Sequence, residues 1–199
     1  MPGANRWLAL VALVTAGFDL VVFVLLHLMQ PEVDLLREPT SAYVHGEFGL
    51  LSPLAAAAVG IGGLALAVAA SRAATAMPGR IGAGLLAVFG LAKLAQAFFP
   101  IDAAGESTPT GATHNLLGNI AFFLLPVAAV LVTRTVARAT GRDHPAWWPA
   151  TAAWLLVATT ALVLAGDGLG FFGLAQRIYL ISAMAWTALV ASWLWRPRV

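Results

Sequence analysis

Six long apolar runs, separated by short stretches rich in polar residues, proline and glycine, form the main pattern of the chain. A helix needs about 20 mostly apolar residues to cross the hydrocarbon core of a membrane. The runs of about this length are Trp7–Leu28, Gly46–Ala70, Ile81–Phe99, Thr113–Val136, Trp147–Ala165 and Phe171–Trp195. The pattern therefore predicts a bundle of six transmembrane helices.

The residue types within these runs favour helices over membrane β-strands. The runs are continuous and rich in Ala, Leu and Val, whereas membrane strands alternate apolar and polar residues over segments of about 10. Composition agrees, because 60% of the residues are hydrophobic and 10% are charged, against about 25% charged residues in soluble domains. The sequence predicts an all-α, polytopic membrane protein whose residues 1–199 form a single domain. The chain has no cysteine, which excludes disulfides and thiolate chemistry.

The distribution of arginine predicts how the bundle is oriented. Lys and Arg accumulate in the cytoplasmic loops of membrane proteins. One side of the six-helix arrangement has only Arg37, and the other side carries Arg6, Arg72, Arg80, Arg134, Arg138, Arg142, Arg196 and Arg198. This bias predicts cytoplasmic N- and C-termini for a multipass protein of the plasma membrane, in contact with membrane lipids. The net charge of +2 is too small to suggest a nucleic-acid partner.

Polar residues inside the spans or at their ends indicate where a functional site lies. A charged side chain at the centre of a span costs about 2.5–3.5 kcal/mol, and it normally faces the bundle interior or a wet cavity. Asp19 lies near the middle of the first span and is expected to pair with Lys93 or Arg177. The polar residues toward the outer side are His27, His45, Glu47, Lys93, Asp102, His114, Asn115, Asp167 and Arg177. They predict an outward-facing polar pocket above an apolar interior. Close helix packing is expected at Gly60, Gly62, Gly63, Gly82, Gly84 and Gly90.

Three of these residues stand at the ends of neighbouring spans and can converge: His45, Asp102 and His114. Two imidazoles and a carboxylate can hold a zinc ion and leave one position open for water. The same residues can also act as an acid–base cluster without a metal. No tight ligand spacing, such as HExxH, supports the zinc interpretation, so a polar network without metal is favoured and both stay open.

Four segments of the chain resemble the DUF998 family of bacterial and archaeal membrane proteins. They are EVDLLREPTSAYVHGEFG (Glu32–Gly49), FPID (Phe99–Asp102), THNLLGNIAFF (Thr113–Phe123) and GLAQR (Gly173–Arg177). The resemblance runs in order over most of the chain and implies about six spans. It also implies that Ser41, Tyr43, Gly46, Asp102, His114, Asn115 and Arg177 are important. Because the function of the family is unknown, the resemblance implies no reaction.

The predicted pocket suits an enzyme that acts on a lipid or isoprenoid substrate at the outer leaflet. In this interpretation Asp102 and His114 form the acid–base pair. The residues expected to bind substrate are Ser41, Tyr43, Lys93, Asn115 and Arg177. A non-catalytic protein that binds a ligand, or that assists a partner membrane protein, is the alternative, and the sequence does not choose between the two. A small transporter ranks third, because the cytoplasmic half has no matching polar residues.

Overall fold

The computed structural model describes residues 2–139 and 147–195. These residues form six long helices and one short 3₁₀ helix, and they contain no β-strand. The long helices are α1 (Pro2–Met29), α2 (Leu51–Ala73), α3 (Met77–Gln96), α4 (Pro109–Ala139), α5 (Trp147–Leu169) and α6 (Phe172–Trp195); the 3₁₀ helix is Thr40–His45. All six are long and apolar enough to cross a membrane. The prediction of an all-α, multipass membrane protein is confirmed.

Most predicted helix ends differ from the structure by one to five residues, and local geometry explains two of these differences. The second span was expected to begin at Gly46, but α2 begins at Leu51. The Gly46 amide donates to the Tyr43 carbonyl at 3.2 Å, so this segment closes a 3₁₀ turn before α2 starts. Helix α4 begins at Pro109, earlier than the predicted Thr113. A proline is well suited to a first helical position, because it has no amide hydrogen to leave unpaired.

The helices pack in chain order, each against the next, and α6 returns to pack against α1. The bundle is therefore a closed ring in which α5 packs against α4 and α6. Fully buried Trp186 on α6 donates its indole Nε1–H to Thr133 Oγ1 on α4 at 2.9 Å. This hydrogen bond satisfies the one polar atom of a side chain that otherwise packs among apolar neighbours.

Glycines bring α2 and α3 into backbone contact. A Cβ atom placed on Gly60 would lie 2.8 Å from the Gly90 carbonyl oxygen, and one placed on Gly90 would lie 2.9 Å from the Gly60 carbonyl oxygen. Small residues at helix crossings are typical of membrane bundles, since packing and not water exclusion drives association there. The predicted close helix packing at Gly84 is not observed, because a Cβ atom placed on it would meet nothing within 4 Å.

The two connections 30–50 and 97–108 lie at the same end of the bundle, which we call the loop end. The arginines Arg6, Arg72, Arg80, Arg134 and Arg138 lie on helix turns at the opposite end. Arg142, Arg196 and Arg198, which also entered the orientation prediction, lie outside the described residues.

Candidate functional site

A cavity of about 350 Å³ lies inside the bundle, between α1, α2, α3, α4, α6 and the 3₁₀ helix. Along α1 it is lined from Thr15 to His27, a distance of about 18 Å at 1.5 Å per residue. The volume is within the range of about 300–1,000 Å³ found for small-molecule pockets. The cavity can therefore hold a small molecule or part of a lipid chain.

The lining changes character along this length. Away from the loop end it is mainly apolar, with Leu66, Leu86, Phe89, Leu125, Leu180, Ala183 and Met184. Nearer the loop end it becomes polar, with His27, Thr40, Ser41, Lys93, Gln96, His114 and Gln176. Asp19 is an ionisable residue on the α1 part of the lining, two helix turns from His27. The cavity therefore combines an apolar interior with a polar rim.

A chain of hydrogen bonds joins α3 to α4 at the rim. Lys93 Nζ donates to Gln96 Oε1 at 2.6 Å, and Gln96 Nε2 donates to His114 Nε2 at 3.1 Å and to the His114 carbonyl at 3.2 Å. The Nδ1 atom of His114 lies 2.7 Å from the Phe99 carbonyl oxygen. Because a carbonyl can only accept, Nδ1 carries the proton and Nε2 is the acceptor. This pattern is that of a neutral imidazole.

Asp19 on α1 and Lys93 on α3 line the same cavity. Of the two partners predicted for Asp19, the structure thus places Lys93 beside the same cavity. The second, Arg177, contacts other groups.

Buried Arg177 joins α6 to α1 and to connection 30–50. Its Nε atom donates to His27 Nε2 at 2.8 Å, and Nη1 donates to the carbonyls of Leu35 at 3.1 Å and Glu38 at 2.8 Å. Nη2 lies 3.4 Å from the Tyr43 hydroxyl. The His27 Nδ1–H bonds the Phe23 carbonyl at 2.6 Å, which leaves Nε2 free to accept from Arg177. The N–H groups of Arg177, which was predicted to bind substrate, therefore donate their hydrogen bonds to other groups of the protein.

Hydrogen bonds between Thr40 and Gln176 also attach connection 30–50 to α6. The backbone amide and the hydroxyl of Thr40 both donate to Gln176 Oε1, at 2.7 and 3.1 Å. Because Thr40 and Gln176 also line the cavity, the contact fixes the rim where connection 30–50 meets α6.

Asp102 stabilises the start of α4. Its carboxylate accepts from the Thr108 amide at 3.0 Å and from the Thr108 hydroxyl at 2.5 Å. The Thr108 hydroxyl oxygen in turn accepts from the Gly111 amide at 3.1 Å, in the first turn of the helix. Hydrogen bonds from the Thr108 hydroxyl and amide favour the charged carboxylate, so they lower the pKa of Asp102 below its ordinary value.

The structure does not bring the predicted zinc ligands together. His45 and Asp102 line a separate groove at the loop end, whereas His114 lines the cavity. The Asp102 oxygens bind Thr108, and both ring nitrogens of His114 have partners in Gln96 and Phe99. Within residues 2–139 and 147–195, no group of three His, Cys, Asp or Glu side chains is placed to hold a metal ion.

The remaining predicted residues divide between the cavity and the surface. Ser41 and Tyr43 line the cavity, and the buried Tyr43 ring packs 5.1 Å from the His27 ring. Asn115 is exposed and is not part of the lining. Sequence reasoning missed Gln96 and Gln176. The signal for Gln96 was its position three residues after Lys93, which places both on one face of α3.

The model of a family described as "Protein of unknown function (DUF998)" matches residues 6–193, nearly the whole chain. Neither the curated proteins nor the solved structures include a match.

Proposed function

The chain belongs to the DUF998 family, and we propose that it binds one lipid-like or isoprenoid amphiphile in the cavity of its bundle. The observation that carries this proposal is the division of the lining. Apolar side chains line the part of the cavity away from the loop end, and neutral and ionisable polar groups line its rim. An amphiphile has the same division between chain and head group, so one molecule can satisfy both parts of the lining.

We propose further that the protein resides in the plasma membrane with both termini in the cytoplasm. The described arginines at the end opposite the loop end support this orientation through the positive-inside tendency. In this orientation the rim faces the outer leaflet, from which a membrane amphiphile would reach the cavity.

Cysteine labelling tests the orientation without background, because the chain has no cysteine. Glu106→Cys places a thiol in exposed connection 97–108, and Thr75→Cys places one between α2 and α3. A membrane-impermeant maleimide should label intact cells carrying Glu106→Cys and should label Thr75→Cys only after lysis. The reverse pattern would overturn the proposed orientation.

A matched pair of variants on α6 tests ligand binding. Ala183 lines the cavity, whereas Ala185 is exposed on the same helix. The protein would be purified, its co-purifying lipids extracted, and the amount per protein measured by mass spectrometry. Ala183→Phe should remove one molecule that wild type and Ala185→Phe retain, because the ring would occupy the cavity. Equal lipid content and composition in all three proteins would refute binding in the cavity.

A second candidate is an enzyme that acts on the bound amphiphile. It is favoured by Asp19, Lys93 and His114, which give the cavity a carboxyl, an amine and an imidazole. Asp102, the other predicted catalytic residue, binds Thr108, which caps α4, and does not line the cavity. Incubation of the reconstituted protein with extracted membrane lipids should then yield a product that His114→Ala fails to form. Binding without turnover would leave the first proposal as the function.

A further inference from the structure

The charges around the cavity balance. Among the described lining residues, Asp19 and Lys93 are the acidic and basic side chains, apart from two histidines. Because both side chains line one cavity, their formal charges sum to zero as carboxylate and ammonium, and also when the proton lies on the carboxyl and not on the amine.

The two histidines of the lining add no charge in the observed hydrogen-bond pattern. His27 Nε2 accepts from Arg177 Nε at 2.8 Å, and His114 Nε2 accepts from Gln96 Nε2 at 3.1 Å. A nitrogen that accepts a hydrogen bond carries no proton, so both imidazoles are neutral. Protonating either one would place an N–H against an existing donor.

Arg177 lies behind this lining and is not part of it. Its guanidinium donates to two carbonyl oxygens of connection 30–50, which solvate the positive charge. The contacts with His27 and Tyr43 complete its environment. The described lining residues therefore offer no unmatched positive charge to an anionic head group.

We infer that the ligand is an uncharged, hydroxyl-bearing amphiphile, such as a long-chain or isoprenoid alcohol. This inference rests on the proposed binding function and names its ligand class. A charged head group would enter a cavity whose own charges already cancel, and an unpaired charge in a low-dielectric site is costly. A hydroxyl group both donates and accepts. It matches the neutral side chains of Thr40, Ser41, Gln96 and Gln176 at the rim.

For an uncharged ligand of this kind, Asp19 and Lys93 determine ligand specificity. Asp19→Asn leaves Lys93 without its counter-charge, which should shift preference toward a carboxylate. Lys93→Met leaves Asp19 alone, which should shift preference toward an alkylammonium ion. The double variant Asp19→Asn/Lys93→Met removes both charges and should again prefer the alcohol.

Three probes with one chain length test these expectations: dodecanol, dodecanoate and dodecylamine. Radiolabelled probes would be equilibrated with full-length protein in nanodiscs of fixed phospholipid composition. Cavity binding is the amount bound by each protein minus the amount bound by its Ala183→Phe derivative, which cancels partition into the bilayer. Wild type should bind dodecanol at least about tenfold more tightly than either charged probe, equivalent to 1.4 kcal/mol.

The results of this experiment distinguish the inferred ligand class from the proposed binding function. Cavity binding in which wild type prefers dodecanoate or dodecylamine, or has no preference, overturns the inferred ligand class and leaves the binding function standing. No cavity binding of any probe overturns both. Removing one of two opposite charges from a partly buried lining can prevent folding. If the single variants fail to fold, the order of probes in wild type and in the double variant still decides the inference.

Discussion

The Nε atom of Arg177 lies 2.8 Å from the Nε2 atom of His27, and this contact joins the last helix to the first. The same guanidinium binds the carbonyls of Leu35 and Glu38, so one side chain ties two helices to connection 30–50. A planar group with five N–H donors suits this task, because it can reach several acceptors in fixed directions. The rim of the cavity therefore depends on a residue that does not line it.

Replacing this guanidinium should loosen connection 30–50. We expect Arg177→Lys to lower the free energy of unfolding by about 3 kcal/mol, since hydrogen bonds to charged groups contribute about 1.5–3 kcal/mol each and an ammonium reaches fewer acceptors. Unfolding in detergent and hydrogen exchange of residues 30–50 would measure the effect. The control is Arg37→Lys on an exposed residue of the same connection, which should behave as wild type. Unchanged exchange in Arg177→Lys would show that Arg177 does not hold the connection.

The bridge between α3 and α4 should depend on Gln96. In Gln96→Leu, both Lys93 Nζ and His114 Nε2 lose a hydrogen-bond partner in a partly buried site. We expect a loss of about 1–3 kcal/mol in unfolding free energy, the usual cost of leaving such groups unpaired.

Asn115→Leu provides the comparison for this variant, because Asn115 is exposed one residue after His114. A surface change should stay within about 0.5 kcal/mol of wild type. If Gln96→Leu is as stable as Asn115→Leu, the hydrogen-bonded chain contributes nothing measurable.

Two glycines on α3 should respond in opposite directions to the same substitution. A Cβ atom on Gly90 would contact the Gly60 carbonyl oxygen and the Leu64 amide nitrogen, each at 2.9 Å, and backbone cannot move aside easily. We expect Gly90→Ala to destabilise the bundle by about 1–3 kcal/mol, as overpacked sites do. Gly84→Ala meets open space and should stabilise the helix by about 0.5–1 kcal/mol. Thermal unfolding of both purified variants gives the comparison, and a stable Gly90→Ala protein would contradict the observed α2–α3 contact.

The hydrogen bonds between Asp102 and Thr108 should make stability depend on pH below the neutral range. Hydrogen bonds from Thr108 lower the folded-state pKa of this carboxyl below its unfolded value, which is about 3.9. Its contribution is therefore fully present above the unfolded value and is lost as pH falls through the lowered folded value. The stability difference between wild type and Asp102→Asn should be constant near pH 7 and shrink in acid.

Denaturant unfolding of both proteins at a series of pH values measures this difference. Glu106→Gln, on an exposed residue of the same connection, should show no comparable difference. Ligand binding should survive in Asp102→Asn, because the carboxylate does not line the cavity. Loss of binding with an intact fold would return Asp102 to the functional site.

The number and type of the helices could be predicted from the sequence because the bilayer imposes a length and a composition on every span. The first residues of α2 and α4 were predicted less accurately. They depend on the turn at Tyr43–Gly46 and on the contacts of Asp102 with Thr108, which are local geometry that apolar runs do not encode.

The sequence by itself determined that polar residues such as Lys93, His114 and Arg177 would be costly in lipid and so would face one another or a cavity. Only the tertiary structure decided which of these occurs. Lys93 and His114 line the cavity and are joined through Gln96. Asp102 holds Thr108, the residue that caps α4, and Arg177 holds a connection whose carbonyls precede it by more than 130 residues. The physical reason is that the role of a polar group depends on its hydrogen-bond partners. Those partners come from remote segments that only the closed ring of helices brings together.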